Sequence, residues 1–157
     1  MKSNPIKVVA DTNIFINAFF HKDKSAQALL RYYSQGKIKF YFNKETHNEL
    51  HYIFGEMIEK LIKENTANLL GKFGDMMYDI EKIKHITRTN YVVDQSDNKF
   101  IDCCIDGKVK YLISQDIHVE DVREFRQKIK DEYGLEINIL SPFQFNMEML
   151  RIKFLSN

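Results

Sequence analysis

The chain has 157 residues, 44% of them hydrophobic and 13% aromatic, which predicts one domain with a full core and excludes a low-complexity or disordered protein. Its 23 basic and 22 acidic residues give a net charge of +1, so overall charge points to neither a nucleic acid nor a membrane surface. No stretch is long and apolar enough to span a membrane, and the first residues lack the apolar segment of a signal peptide. We therefore expect a single cytoplasmic domain over residues 1–157, with its two adjacent cysteines as reduced thiols.

Short apolar runs predict the strands of the chain. In chain order these are residues 7–10, 38–42, 86–93, 111–113 and 136–140, the third being a strand or an extended segment. Apolar residues at helical spacing predict helices over residues 14–20, 25–36, 44–65, 66–77, 97–106, 120–133 and 142–154. Strands that alternate with helices favour an α/β fold, a three-layer α/β/α sandwich with a mostly parallel central sheet.

Capping residues mark several helix ends. Thr12 and Asn13 are suitable caps for the first helix, Ser25 for the second and Asn43 for the third. Gly107 is expected to end the helix that begins at position 97. These positions set the expected boundaries of the helices.

Four acids lie at the ends of predicted elements and are candidate site residues. Asp11 and Asp116 each follow a short apolar strand, Asp97 begins a helix, and Glu49 lies in the first turns of another. The carboxyl ends of neighbouring parallel strands meet at one edge of a sheet, which is where such folds bind ligands. Four converging carboxylates repel one another unless a hard cation such as Mg²⁺ or Mn²⁺ neutralises them, and Mg²⁺ sites are commonly completed by substrate phosphate. The acids therefore predict a metal-dependent reaction at a phosphodiester.

Each acid also has a simpler interpretation. An aspartate after a strand often only caps a helix, and Asp94 or Asp102 can replace Asp97 if the register differs. On the long helix, Glu49 lies closer to the buried stripe than Glu45, which we expect to interact with the helix dipole.

The segment His47-Asn48-Glu49-Leu50-His51 invites comparison with a zinc protease. There the catalytic glutamate directly follows the first histidine, whereas Glu49 comes two positions after His47. At 100° per residue these two side chains point to nearly opposite sides of the helix. We therefore expect His47 and His51 to be solvated residues on the flank of the helix.

Taken together, several segments resemble the PIN domain family of ribonucleases, most closely its bacterial toxin-like branch. The segments are Asp11-Thr12-Asn13, Glu49-Leu50, Asp94 to Phe100, Tyr111 to Asp116 and the closing Ile139 to Phe145. The likeness covers nearly the whole chain in order and spacing. It implies a metal-dependent endoribonuclease that binds Mg²⁺ or Mn²⁺ and cleaves RNA.

The resemblance carries over residue by residue. Asp11, Glu49, Asp97 and Asp116 match the four acids of the family, as catalytic and metal-binding residues. Asn13 matches the polar residue that supports the first acid, and Ser114 the small hydroxyl residue before the last. Lys99, two residues after Asp97, is a candidate contact for a substrate phosphate. The chain departs from the family pattern at Gln115, where a glycine is common, and at Ser96, where an acid is common; neither change removes an expected ligand.

Two other functions remain open from the sequence. One is a catalytically retired PIN-fold protein that binds RNA or acts as a scaffold. The other is a Mg²⁺-dependent phosphatase. The presence of Asn13 argues against it, because a haloacid-dehalogenase-type enzyme has a second aspartate at that position. For the ribonuclease, the expected partners are RNA, an antitoxin protein and a second copy of the chain, with no membrane. Whether one or two metal ions bind is not decided by the sequence.

Overall fold

A computed structural model describes residues 3–63, 67–92, 94–115 and 122–156. Within these residues five strands form one sheet in the order β3-β2-β1-β4-β5, and all neighbouring strands run parallel. The strands are β1 Ile6–Ala10, β2 Ile38–Phe42, β3 Glu81–Lys82, β4 Tyr111–Ile113 and β5 Asn138–Leu140. The predicted α/β class with a mostly parallel sheet is confirmed.

Seven α-helices of the described chain surround this sheet. They are α1 Thr12–Phe19, α2 Lys24–Ser34, α3 Lys44–Lys63, α4 Ala67–Asp79, α5 Asn98–Gly107, α6 Val122–Tyr133 and α7 Pro142–Leu155. A 3₁₀ turn, Gln95–Asp97, precedes α5 directly. The helix start predicted at residue 66 and the first two residues of the helix predicted at 120 lie outside the described residues. None of the described helices has both the length and the apolarity that crossing a membrane requires.

Alternate residues of the central strand face opposite sides of the sheet and so define the layers. Val8 and Ala10 of β1 belong to a core cluster that contains side chains of α1, α2, α3, α4 and α7, including Phe145. Val9 belongs to the second cluster, which contains side chains of α5 and α6, including Phe125. Both faces of the sheet are thus covered by helices, as in the predicted three-layer sandwich.

Of the two predictions for residues 86–93, a strand or an extended segment, the strand is wrong for the described residues 86–92, because β3 lies earlier in the chain. The backbone N–H groups of Ile86 and Thr87 donate to the carboxylate of Asp106, and the N–H of Thr89 donates to Asp102. Carboxylates of α5 therefore accept hydrogen bonds from backbone N–H groups that, in a strand, would donate to a neighbouring strand. This segment follows α5 instead of extending the sheet.

Two helix caps differ from those predicted. Asp23 caps α2 by accepting a hydrogen bond from the Ala26 N–H at 2.7 Å, where Ser25 was the expected cap. Helix α1 begins at Thr12 because Asp11 itself is the N-cap. The aspartate that ends β1 therefore also starts the following helix.

The order of strands places a crevice at the end of β1. From β1 the sheet continues through β2 and β3 on one side and through β4 and β5 on the other. In open α/β sheets, ligands bind outside the carboxyl ends of the strands at such a reversal of strand order. The residues after β1 and β4 lie there.

Candidate active site

Asp11 lies at the carboxyl end of β1, next to the end of β4, and is 4% exposed. One oxygen of its carboxylate accepts a hydrogen bond from the Asn13 backbone N–H at 3.0 Å. The other oxygen accepts the Ser114 hydroxyl, also at 3.0 Å. The backbone N–H of Asp11 donates to the Ile113 carbonyl at 2.9 Å, which ties the two strand ends together. The Asp11 carboxylate is thus contacted by the backbone of Asn13 and by the side chain of Ser114.

Glu49 reaches the same edge from α3. Its Oε1 accepts the Thr12 hydroxyl at 2.5 Å, and its Oε2 forms an ion pair with Lys99. Thr12 is buried, and it follows Asp11 directly. Sequence reasoning treated Thr12 as a helix cap and missed this contact; its place next to Asp11 is the only signal that points to the site.

Asp97 lies where the 3₁₀ turn meets α5. Although it occupies the N-cap position of α5, its side chain makes no capping hydrogen bond. Its pKa is raised to about 6, first by burial and then by the negative charges of Asp11 and Asp94, with a smaller contribution from Glu49; Lys99 opposes the shift. Asp97 therefore feels the charges of two other predicted acids and does not serve as a side-chain cap.

The charges of Asp11 and Glu49 thus both act on Asp97 in the structure. The fourth predicted acid, Asp116, lies outside the described residues. In the described ranges, no three side chains among His, Cys, Asp and Glu form a group already arranged to hold a metal ion. The complete four-acid arrangement accordingly stays a prediction.

The two alternatives to Asp97 have other contacts. Asp94 caps the 3₁₀ turn by accepting the Ser96 N–H at 3.0 Å, and hydrogen bonds from Ser96 lower its pKa. Asp102 is buried and accepts hydrogen bonds from the Thr89 N–H and hydroxyl, at 2.8 and 2.7 Å. Its other oxygen lies 2.9 Å from Nε2 of His85. Both carboxylates stabilise loops that flank α5.

Lys99, the candidate contact for a substrate phosphate, lies next to Glu49. Only 11% of its side chain is exposed, and its ammonium contacts Glu49 and the Ser96 carbonyl. Its own backbone carbonyl accepts the side-chain amide of Asn43 at 2.9 Å. Asn43 is fully buried and also caps α3, as predicted, by accepting the Thr46 N–H. Asn43 therefore fixes the start of α5 against α3, a role that the sequence did not indicate.

The remaining polar residues of α3 lie apart from this group. The rings of His47 and His51 stack with their centroids 6.1 Å apart, and burial lowers the pKa of His47. Glu45 lies in the first turn of α3, as expected for a residue near the helix dipole, and accepts a hydrogen bond from Arg88 at 2.6 Å. These contacts give no support to a zinc-protease site.

The donor atoms at this edge suit a hard divalent cation. Asp11, Glu49 and Asp97 offer carboxylate oxygens, and the hydroxyls of Thr12 and Ser114 are also oxygen donors. All-oxygen donor sets favour Mg²⁺ or Mn²⁺ over softer metals. Burial and, after it, the charges of Asp11 and Asp94 raise the pKa of Asp97, and Lys99 opposes this shift. The donor atoms are therefore of the type that Mg²⁺ or Mn²⁺ binds, although the described side chains are not already grouped as a metal site.

The fold and this edge define a class of protein, an all-parallel α/β domain with an acidic residue, Asp11, at the carboxyl end of its central strand. Within that class, residues 7–118 match a family described as PIN domain. Because the match spans more than half of the chain, the chain belongs to the PIN domain family. Proteins of this family are generally ribonucleases.

Comparison with known proteins adds a structural neighbour. The crystal structure of VapBC2 from Rickettsia felis, bound to a DNA fragment from the promoter, contains a chain with a similar fold. The two chains superpose with a TM-score of 0.52 and are 14% identical, over 85% of this chain and 98% of the other. At this identity the likeness shows the fold alone. No curated protein matches the chain in sequence.

Proposed function

We propose that the chain is a metal-dependent endoribonuclease that hydrolyses phosphodiester bonds of RNA. The observation that carries the proposal is the position of Asp97, whose pKa is raised to about 6 by burial and by nearby carboxylates although its side chain caps no helix. Bringing these acids together is unfavourable in the free protein, and a bound divalent ion offsets that cost. Membership of the PIN domain family supports the same class of reaction.

In this proposal, Asp11, Asp97 and Asp116 hold Mg²⁺ or Mn²⁺, directly or through water. A divalent ion at such a site lowers the pKa of a water molecule and stabilises negative charge at phosphorus. Ser114 and the Asn13 backbone fix the Asp11 carboxylate in one orientation. Glu49 orients the attacking water or contributes to a second ion. In-line attack leaves a 5′-phosphate and a 3′-hydroxyl.

We further propose that the enzyme is the toxin of a toxin–antitoxin pair and acts in the cytoplasm. The likeness in fold to a chain of the VapBC2 complex supports this assignment. The expected partners are an antitoxin protein that silences cleavage, an RNA substrate and a second copy of the chain.

The test compares two carboxylates of the same helix. Glu49→Gln removes the charge at the site, whereas Glu56→Gln changes an exposed acid of α3 and serves as the matched control. We expect Mn²⁺-dependent cleavage of a single-stranded RNA by the wild type and by Glu56→Gln, and a loss of roughly 100-fold in Glu49→Gln.

Asp11→Asn is a second test variant for the proposed ribonuclease. The amide keeps an oxygen for the Asn13 N–H, and its nitrogen can donate to the Ser114 hydroxyl, so the fold is retained. We expect an unchanged melting temperature within a few degrees and no cleavage. Cleavage at the wild-type rate by Asp11→Asn would refute the assignment. Hydrolysis of a small phosphate ester without cleavage of RNA would favour the phosphatase. The absence of both activities would favour the catalytically retired scaffold.

A further inference from the structure

The side chains of Asn17 and Gln115 meet at the surface beside the candidate site. Nδ2 of Asn17 donates a hydrogen bond to Oε1 of Gln115 at 3.3 Å, across 98 positions of sequence. We call these two residues the amide pair. Gln115 is exposed and Asn17 is half-buried, whereas Asp11 is 4% exposed. The amide pair is therefore open to a ligand that approaches the site from solvent.

The amide pair lies next to the groups that hold the Asp11 carboxylate. Asn17 comes one turn of α1, about 5.4 Å along the helix axis, after Asn13, whose backbone N–H donates to Asp11. Gln115 directly follows Ser114, whose hydroxyl donates to the other oxygen of Asp11. A nucleotide with its phosphate at Asp11 would therefore bring a base to the amide pair.

Backbone contacts hold both members of the pair in place. The Asn17 carbonyl accepts the N–H of Asp23 at 3.0 Å, where the chain turns from α1 to α2. The N–H of Ser114 donates to the Leu140 carbonyl of β5 at 2.9 Å, which fixes the residue before Gln115 to the sheet. Asn17 then restricts the long side chain of Gln115 before any ligand binds. Such pre-ordering lowers the entropy cost of binding.

The contact with Asn17 engages only part of the Gln115 amide. In the parts of the chain that the structure describes, it is the one hydrogen bond in which the Gln115 side chain takes part. An amide has two N–H donors and an oxygen that can accept two hydrogen bonds. Because Asn17 uses one acceptor position of Oε1, that oxygen can accept a second bond, and Nε2 can donate. Gln115 thus presents an acceptor and a donor side by side.

An adjacent acceptor and donor suit the edge of a base better than a phosphate. A phosphate oxygen accepts hydrogen bonds, so it gives Oε1 no second partner. Adenine carries the complementary groups on one edge, N6–H as donor and N7 as acceptor, and glutamine forms two hydrogen bonds with them. Guanine presents two acceptors on the same edge, and pyrimidines lack N7. In single-stranded RNA, such base edges are accessible to side chains.

We propose that Gln115 reads an adenine next to the scissile phosphate, and that Asn17 is the positioning residue that orients the Gln115 amide. Oε1 of Gln115 accepts from N6–H of the base while Nε2 donates to N7. This inference rests on the proposed function and adds a sequence preference for the RNA substrate.

The first test measures cleavage of an oligouridylate RNA that contains one adenosine. We expect the wild type to cleave next to the adenosine, with kcat/KM roughly 10-fold above that for plain oligouridylate, as one two-bond base contact provides. The analogue 7-deazaadenosine has a C–H group in place of N7 and should lose most of this preference. Gln115→Ala should cleave all three RNAs at the rate at which the wild type cleaves oligouridylate.

Two further variants separate base reading from a structural role. Asn17→Ala releases the Gln115 amide, so we expect a smaller preference for adenosine that still depends on N7. Gln115→Glu replaces the donor by an acceptor, and a carboxylate accepts from N4–H of cytosine, so the preferred base should change from adenine to cytosine. Gln35→Ala alters an exposed amide at the end of α2 and is the control, with the preference of the wild type.

Two results would overturn the inference. One is equal cleavage by the wild type next to adenosine and next to 7-deazaadenosine. The other is a loss in Gln115→Ala by the same factor on every RNA, which would show that Gln115 contacts a phosphate or only supports the loop after β4. A structural role of this kind changes the rate and leaves the choice of base unaltered.

Binding without cleavage distinguishes failure of this inference from failure of the proposed function. Fluorescence anisotropy in EDTA measures the affinity of the full chain for the same three RNAs. We expect the wild type, and not Gln115→Ala, to bind the adenosine RNA more tightly than the 7-deazaadenosine RNA. If the wild type cleaves none of the RNAs, the proposed function fails and this difference in affinity decides: its presence supports base reading by Gln115, and its absence overturns it.

Discussion

The Ser114 hydroxyl donates to the Asp11 carboxylate across 103 positions of sequence, with Oγ and Oδ2 3.0 Å apart. This contact exists because β1 and β4 are parallel neighbours that end side by side. It places a hydroxyl after one strand against an acid after the other. The sheet edge therefore determines the orientation of the proposed metal ligand.

Removing that hydroxyl tests whether the orientation of Asp11 matters. We expect Ser114→Ala to weaken Mn²⁺ binding and cleavage by roughly 10- to 100-fold, as is usual when a residue that orients a ligand is lost. The free energy of unfolding should fall by only about 1 kcal/mol. Ser34→Ala removes an exposed hydroxyl of α2 and is the control. Equal Mn²⁺ affinity in Ser114→Ala and the wild type would show that the hydroxyl has no positioning role.

Asp97 predicts how stability varies with pH in the metal-free protein. Its pKa is raised from 3.8 to about 6, mainly by burial. A raised carboxyl pKa favours the protonated form in the folded state, so its stabilising contribution is full below the unfolded pKa and is lost as pH rises through about 6. Asp97→Asn should thus be more stable than the wild type above this range, by on the order of 1 kcal/mol after allowing for solvent screening, and equally stable below about pH 4.

Thermal melts in EDTA across this pH range measure the difference. Asp94→Asn is the contrasting variant, because hydrogen bonds from Ser96 lower the pKa of Asp94 and its charged form therefore stabilises the fold. It should be less stable than the wild type at neutral pH. If the wild type and Asp97→Asn had equal melting temperatures both below pH 4 and above pH 6, the raised pKa of Asp97 would be contradicted.

The sequence predicts most of the fold because its signals are local. The apolar runs of β1, β2 and β4 and the helical stripes between them are visible without tertiary contacts. In contrast, β3 has only two residues, Glu81 and Lys82, and both are exposed. Its strand character comes from pairing with β2, which no local pattern encodes.

The candidate site shows the same division between local and tertiary signals. Asp11, Glu49 and Asp97 were candidates from the sequence because each lies at a recognisable position on a strand or helix. The contacts of Thr12 and Lys99 with Glu49 could not, because they depend on how α1, α3 and α5 pack. A lysine near the start of a helix gives no local sign of being enclosed.

Asp102 can be compared with Asp97, the proposed metal ligand in the same segment. It is buried, and it accepts hydrogen bonds from the Thr89 N–H and hydroxyl and lies against His85. We expect Asp102→Asn to reduce the free energy of unfolding by about 1 kcal/mol, because the buried hydrogen bonds from Thr89 then end on a neutral amide oxygen instead of a charged carboxylate. The folded variant should still bind Mn²⁺ as the wild type does. Urea unfolding and Mn²⁺ titration separate the two effects, and a selective loss of Mn²⁺ binding would place Asp102 in the site.

Helix α5 ends on a residue in the left-handed conformation, and that residue is Lys108 (φ 52°, ψ 47°), not the predicted stop, Gly107. Gly107 itself lies in a crowded position, since an added Cβ would lie 2.9 Å from Cδ1 of Ile83 and 3.1 Å from Cγ2 of Val109, and these side chains would have to shift. A side chain at Lys108 strains the left-handed backbone, which glycine adopts freely. We expect Lys108→Gly to raise the free energy of unfolding by about 0.5 kcal/mol or more, seen as a higher urea midpoint with an unchanged slope. Lys110→Gly, two residues on and without a positive φ, should lower the midpoint; a lower midpoint for Lys108→Gly as well would show that the left-handed turn carries no strain.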